Sequence, residues 1–421
     1  MAGETFSLAG KGLKLDTKED LEKHIQPLAE SSKVTHIDLS GNTLGVDACA
    51  ALAPILSSKI TLQSADLHDI FTSRLLEEIP PALSSLLTAL LKCPNIHTID
   101  LSDNAFGLKT KDPLVDFLAK HVPLKHLILN NNGMGPIAGT SIAEALITLA
   151  ERKQAARKEG KDVPDLESIV CGRNRLENGS MPAWAKAYEA HKSGIKSVKM
   201  TQNGIRSEGI SHLISSGLSH CDSLEVLDMQ DNTFTFQGAR ALAKAVEGWS
   251  GLKELGVGDD LLGGRGAIKV FEALGEGNNE KIEILRLQYN DINPAGVKAL
   301  LQAAKDALPK LRRVELNGNK FEEEDPSIEG LAELLSERKD EAGKDDDAED
   351  HWGLDELDEL EGEDSDEEEE EELEEEEEDE EEQDKAREKL LKEDDEAEEQ
   401  PVTQKKDAEV DDLASKLEKT L

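Results

Sequence analysis

Cysteine is scarce in this 421-residue chain, and the four present, Cys49, Cys93, Cys171 and Cys221, neither fall at CxxC spacing nor sit beside clustered histidine. That pattern excludes a zinc ribbon or a disulfide framework and is expected of a reduced, intracellular protein. The opening stretch MAGETFSLAGKGLKLD lacks an apolar core segment, so no secretory signal is expected. No run of about 18 apolar residues occurs, so no membrane-spanning helix and no membrane partner are expected. Catalytic signatures are missing as well: there is no GxxxxGK[ST] phosphate loop, no GxSxG elbow and no HExxH pair, and the ten histidines are scattered. A chain with this inventory is expected to act by binding another protein, not by chemistry of its own, and to hold no metal or cofactor.

What the chain has in excess is acid, unevenly placed. The formal net charge is -42, and 42 of the 90 Asp and Glu but only 9 of the 48 Lys and Arg lie in residues 341–421. Residues 1–340 are nearly balanced and are expected to fold as one domain with terminal caps. Residues 341–421 are too charged to bury a core and are expected to be mostly disordered. Phosphate would be repelled by such a field, so no direct nucleic-acid partner is expected. The final apolar spacing of Val410, Leu413, Leu417 and Leu421 suits either a weak docking helix or an export-type signal.

The dominant feature is an internal repeat with the pattern LxxLxLxxN. It reads VTHIDLSGN (34–42), IHTIDLSDN (96–104), LKHLILNNN (124–132), LESIVCGRN (166–174) and IKSVKMTQN (195–203). It continues as LEVLDMQDN (224–232), LKELGVGDD (252–260), IEILRLQYN (282–290) and LRRVELNGN (311–319), with a degenerate copy LQSADLHDI (62–70). The LxL core predicts a short strand whose alternate residues point inward, and the Asn is expected to turn in and satisfy backbone groups left open by the turn. A second segment in each repeat has helical spacing, as in Ala239, Leu242, Ala243 and Val246, or Ala48, Leu52 and Ile55. From position 174 the steps are 29, 29, 28, 30 and 29, long enough for a full helix per repeat. The fold class expected is therefore an α/β leucine-rich-repeat solenoid of the ribonuclease-inhibitor-like kind: a horseshoe with a parallel sheet on the concave face and helices on the convex face. Phe6, Leu8 and the run 19–28 are expected to cap one end, and the run 328–335 the other. Cys171 falls on an inward strand position and reads as core, not nucleophile.

The repeat breaks twice. The step from 70 to 104 is 34, and its excess lies in FTSRLLEEIPP (71–81), which puts Arg74 on a loop at the sheet edge. Arg74 is there either an ordinary surface arginine or a contact on a protein-binding rim. The step from 132 to 174 is 42 and includes ERKQAARKEGKD (151–162), either a solvated extension of a convex helix or a local basic contact. In the run Asn130, Asn131 and Asn132 the template assigns the inward place to Asn132, which leaves Asn131 pointing out. The same logic exposes Asp103, Arg173, Gln202 and Asp231 at one height on neighbouring repeats, a contact edge or simply a solvated one.

The stretches DIFTSRLLEEIPPAL, LLKCPNIHTIDLSDNAFG, LNNNGMGPIAG, CGRNRLENGS, VKMTQNGIRSEGI and DMQDNTFTFQGARALA resemble the Ran GTPase-activating proteins, and in particular the fungal form with a repeat domain and an acidic tail. The resemblance runs in register over residues ~5–330 and covers the tail by composition only. It implies an activator of GTP hydrolysis on Ran, an enzyme regulator whose hydrolytic site belongs to the partner, in nucleocytoplasmic transport. It implies that Asn131 orders Ran's switch residues so that Ran's glutamine aligns the attacking water, without an arginine finger. Arg74 would then hold loops or pair with an acidic partner residue, and Asp103, Arg173, Gln202 and Asp231 would join it in the contact. GTP and Mg²⁺ would be carried by Ran, the partner would be Ran in its GTP-bound form, with a Ran-binding protein as a further member, and the chain would be a monomer in the cytoplasm or at the nuclear envelope. The rival reading is an acidic leucine-rich-repeat interaction protein, such as a histone-binding chaperone, with no effect on GTP hydrolysis.

Overall fold

The computed structural model describes residues 3–343 and 352–361. The chain opens with strands β1 (Glu4–Ser7) and β2 (Lys14–Leu15) and helix α1 (Lys18–Glu30), whose Thr17 and Asp20 form a reciprocal capping box. The repeats follow as strand and helix: β3 (Val34–Asp38) with the short β4 (Thr43–Leu44) and α2 (Val46–Ser57), β5 (Ser64–Asp66) with α3 (Ile79–Leu90), and β6 (Thr98–Asp100) with α4 (Asp112–Leu118). Next come β7 (His126–Ile128) and α5 (Gly135–Lys158), β8 (Ser168–Val170) and α6 (Glu177–Ala190), and β9 (Ser197–Lys199) and α7 (Ser207–Ser216). The series ends with β10 (Val226–Asp228) and α8 (Thr235–Val246), β11 (Glu254–Gly256) and α9 (Gly263–Gly275), β12 (Ile284–Arg286) and α10 (Pro294–Asp306), then β13 (Arg313–Glu315), α11 (Pro326–Glu341) and β14 (Gly353–Leu354).

Twelve strands pair in chain order into one sheet, β1 next to β3 and then β5 through β14, while β2 and β4 form a separate pair. The pairings are parallel, as a strand–helix–strand connection requires. Their register aligns one inward residue per repeat: Ile37, Ala65, Ile99, Leu127, Ile169, Val198, Leu227, Leu255, Leu285 and Val314. All ten are buried, and they form the seam between sheet and helices. Each helix adds its apolar face, as Ala239, Leu242, Ala243 and Val246 do from α8. This is the leucine-rich-repeat solenoid that the spacing predicts, with no single repeat able to bury its core alone.

The asparagines build a second continuous element. Asn104 N–H donates to Asn132 Oδ1 at 2.9 Å, Asn132 N–H to Asn174 Oδ1 at 2.9 Å, and Asn174 N–H to Asn203 Oδ1 at 3.0 Å. The amide nitrogen of each turns back to carbonyls of its own strand, as Asn132 Nδ2 does to Leu129 O and Asn130 O. Asp260 stands in this ladder where Asn occurs elsewhere. Its Oδ1 accepts from Asn232 N–H at 2.8 Å, but its Oδ2, fully buried, has no partner. Burial and the nearby Asp259, Asp228 and Asp231 carboxylates drive its pKa well above the ordinary range.

Two expectations change. The long step at 132–174 is a lengthened helix, α5 having 24 residues against 14 in α6, so residues 151–158 of the basic run lie on a helix extension and 159–162 follow it. Lys153 within it, however, is not solvated: it is buried, its Nζ donates at 2.7 Å to the carbonyls of Val122, Leu124 and Pro164, and burial pulls its pKa down to about 7. The domain boundary at 340 also falls short. Helix α11 runs to Glu341, and β14 adds a last strand by pairing with β13, with Asp355 accepting from Leu316 N–H and Asn317 N–H at 2.7 and 3.0 Å. Leu354, Leu357 and Leu360 pack on the core, so this acidic segment is a cap and belongs to the folded unit. The rest of the expected tail, and the Val410–Leu421 spacing, lie outside the described residues.

Candidate functional site

The two edges of the sheet spend their charges differently. At the edge where strands begin, one position per repeat alternates in sign and pairs across repeats: Lys125 and Lys196 reach Glu167 at 2.9 and 3.1 Å, Lys253 reaches Glu225 at 2.7 Å, and Arg312 reaches Glu283 at 3.1 Å. At the edge where strands end, the residue just before the ladder position of each repeat is left-handed, with φ near +55°: Asp69, Asp103, Asn131, Arg173, Gln202, Asp231, Asp259 and Tyr289, with Gly41 and Gly318 at the ends of the row. The cause is the turn that drives the ladder residue inward. Its cost is offset because each N–H donates to a carbonyl of the next repeat, as Asp103 does to Asn130 O, Asn131 to Gly172 O and Arg173 to Thr201 O, each at 2.9 Å. Five of the predicted contact residues are therefore brought into one row by backbone geometry. Asp103, Asn131, Arg173 and Gln202 are exposed, and Asp231 is half-buried.

The three consecutive asparagines divide their work. Asn132 sits in the ladder. Asn130 Oδ1 accepts from Gly172 N–H at 2.7 Å. Asn131 is outward, and its Nδ2 donates to Asp103 Oδ1 at 2.8 Å across the repeat boundary. Asp103 thereby fixes the amide and leaves the Asn131 carbonyl oxygen facing solvent as an acceptor.

Arg74 does not join the row. Its side chain is 8% exposed: Nη1 meets Asp16 Oδ1 at 2.5 Å, Nε donates to Thr43 Oγ1 at 2.8 Å and Nη2 to Thr43 O at 2.9 Å. It clamps the 71–78 loop to the N-terminal cap, and the arginine holds the Asp16 carboxyl below its usual pKa. Arg74 thus ties this loop to the cap and leaves little of its side chain exposed. Nothing in the repeat pattern signals the Asp16 partner, 58 residues away.

Reasoning from the repeat also missed Arg175 and Arg206. With Arg173 they are exposed, and among the described residues none of the three makes an ion pair. On the open face, Asp66, His68 and Asp100 bring ligating atoms within 4.8 Å of one another, and His68 Nδ1 meets Asp66 Oδ1 at 2.7 Å. Burial opposes the charged ring, but the Asp66, Asp100 and Asp103 carboxylates outweigh it and raise the His68 pKa, so the cluster reads as an ion pair. The four cysteines are buried, and burial pushes Cys171 up to about 12, as expected of core.

The leucine-rich-repeat family model matches residues 30–53, 220–243 and 278–301. Ran GTPase-activating protein 1 of Saccharomyces cerevisiae is 42% identical over 335 residues, covering 78% of this chain and 81% of that protein. The Ran GTPase-activating protein of Drosophila melanogaster is 33% identical over 335 residues, covering 79% of this chain and 54% of that protein. Ran GTPase-activating protein 2 of Caenorhabditis elegans is 39% identical over 208 residues, covering 49% of this chain and 21% of that protein.

Proposed function

This chain belongs to the Ran GTPase-activating protein family, and from that premise we propose how its rim stimulates GTP hydrolysis by Ran. The observation that carries the reading is the Asp103–Asn131 pair: a neutral side chain on the rim, held by its neighbour, with one acceptor oxygen turned to solvent. In the proposal Ran binds in its GTP-bound form along the left-handed row. The Asn131 carbonyl oxygen accepts an N–H from Ran's glutamine, and that glutamine then aligns the attacking water. GTP and Mg²⁺ are carried by Ran, so the chain needs no cofactor and contributes no nucleophile, acid or base. It acts as a monomeric regulator in the cytoplasm or at the nuclear envelope, with a Ran-binding protein as an additional member of the complex.

Magnitudes set what Asn131 does. Activation of this kind reaches about 10⁵-fold, which is roughly 7 kcal/mol of barrier. One hydrogen bond is worth about 1 kcal/mol. The larger share must come from holding Ran's own groups in reactive geometry, where positioning alone supplies several kcal/mol. No arginine finger is needed in this scheme, and the commitment of Arg74 to Asp16 and Thr43 supports leaving it out of the nucleotide site. Arg173, Arg175 and Arg206 serve binding, by pairing with acidic groups of Ran.

The test is multiple-turnover hydrolysis of GTP-loaded Ran with a trace of this protein. Many Ran molecules discharged per molecule added is the expected result, and stoichiometric or absent discharge overturns the proposal. Arg173→Ala is expected to raise KM and spare kcat; a collapse of kcat with KM unchanged would make that arginine the finger.

A further inference from the structure

Seven large apolar side chains are exposed among the described residues: Ile60, Leu75, Leu76, Leu108, Ile137, Leu261 and Tyr289. Singly, such residues need no explanation. Their distribution does. Six of the seven lie on the edge where strands end, and Ile60 alone lies on the opposite edge, in the turn between α2 and β5. Four of the six, Leu75, Leu76, Leu108 and Ile137, are 67, 53, 58 and 62% exposed and belong to three consecutive repeats.

Leu75, Leu76 and Leu108 sit on the loops that carry the chain from β5 and β6 into α3 and α4, and Ile137 sits in the first turn of α5, just after the loop from β7. The loops touch: Phe106 N–H donates to Asn132 O at 3.1 Å, and Gly107, next to Leu108, lies against Gly133 O. Leu75 and Leu76 directly follow Arg74, whose clamp on Asp16 and Thr43 fixes the loop, and Leu75 N–H is tied to Glu78 Oε2 at 2.9 Å. The strip is thus held in place by backbone and buried side-chain bonds. Leu108 and Ile137 belong to the same two repeats as Asp103 and Asn131.

We propose that Leu75, Leu76, Leu108 and Ile137 form an apolar anchor strip that seats the GTPase on the rim and sets affinity, while Asn131 beside it sets the rate. This rests on the reading of the rim as the Ran-binding edge. The occupant is the GTPase because Leu108 and Ile137 lie in the same strand-to-helix connections as Asp103 and Asn131, and because apolar side chains beside unpaired arginines are the layout of a protein interface with a desolvated core and a polar border. Along the opposite edge the strand-start positions carry paired charges, and Ile60 is the one large apolar side chain exposed there among the described residues.

The experiment is steady-state kinetics on GTP-loaded Ran with the full chain carrying Leu108→Ser, Ile137→Ser or the double change Leu75→Ser with Leu76→Ser. Ile60→Ser serves as the exposed apolar control. Each strip variant is expected to raise KM by about five- to tenfold, with kcat within about twofold, an unchanged Tm because the side chains are exposed, and no effect from Ile60→Ser. Unchanged KM in strip variants that still stimulate hydrolysis overturns the strip while leaving the activator reading intact. Absence of stimulation by the unmodified chain overturns the activator reading itself. An unmodified chain that is dimeric by light scattering beside a monomeric Leu108→Ser chain would assign the strip to a second copy of this chain and also overturn the proposal.

Discussion

At the scale of single residues, the rim is governed by a backbone conformation that its own sequence conceals. Nothing in Arg173 or Gln202 signals a left-handed φ, because long side chains rarely adopt it; the turn imposes it and the next repeat's carbonyl stabilises it. The outward place of Asn131 was legible from the template, but its bond to Asp103 was not, since that bond crosses 28 residues. Asn131→Ala is expected to lower kcat by about 10²-fold, as loss of alignment does, and Asp103→Ala by less, because Asn131 would remain but lose its orientation. Single-turnover hydrolysis at saturating protein measures both. Arg74→Ala and Asp16→Ala should weaken activity together if Arg74 works by holding its loop; an Asp16 variant with full activity beside an inactive Arg74 variant would show that the arginine meets the partner itself. Asp260 gives a stability prediction. Its pKa is raised on folding, so the folded state holds a proton that the unfolded state releases above about 3.9, and the stability this confers is lost as pH rises toward the folded value. Asp260→Asn supplies the missing donor, so its Tm advantage over the parent should grow between pH 4 and 8. A constant difference across that range would refute the sign.

Among the elements, strands and helices were largely readable. The LxL core gave every inward strand residue from Ile37 to Val314, and the steps near 29 gave a helix per repeat. What escaped was set by distance and by composition. Lys153 reads as one more base in a charged run, yet its ammonium ends three carbonyls that lie 11 to 31 residues away. The last strand escaped because HWGLDELDEL looks like acidic tail; only the exposed edge of β13 gives it a place, and its leucines recur too briefly to announce a repeat. A chain ending at residue 343 should therefore lose several degrees of Tm relative to one ending at 364, since the former uncovers the edge of β13 and the apolar ends of Leu354, Leu357 and Leu360 no longer shield the core. Equal melting of the two would mean that β14 contributes nothing to the cap.

For the whole molecule, the division of charge makes a prediction that also separates the two functions open to the sequence. Ending the chain at 364 removes 29 of the 42 acidic residues of 341–421 but none of the rim, so hydrolysis by Ran should continue with kcat unchanged, at most with a slower, less salt-dependent association. A basic-protein chaperone would instead lose its binding. Loss of kcat on this truncation would require the tail to act at the rim.

The left-handed row has one more consequence, in length. Neighbouring strands lie about 4.8 Å apart, so the four strand steps from Asp103 to Asp231 span about 19 Å, a distance fixed by counting repeats and not by any side chain. The rim is a ruler with one graduation per repeat. A whole repeat inserted between β7 and β8 would fold, since it brings its own strand, helix and ladder asparagine, but it would put Arg173 two graduations from Asn131 instead of one. Substitutions could then change what each mark says, while only gain or loss of a repeat could change where it stands.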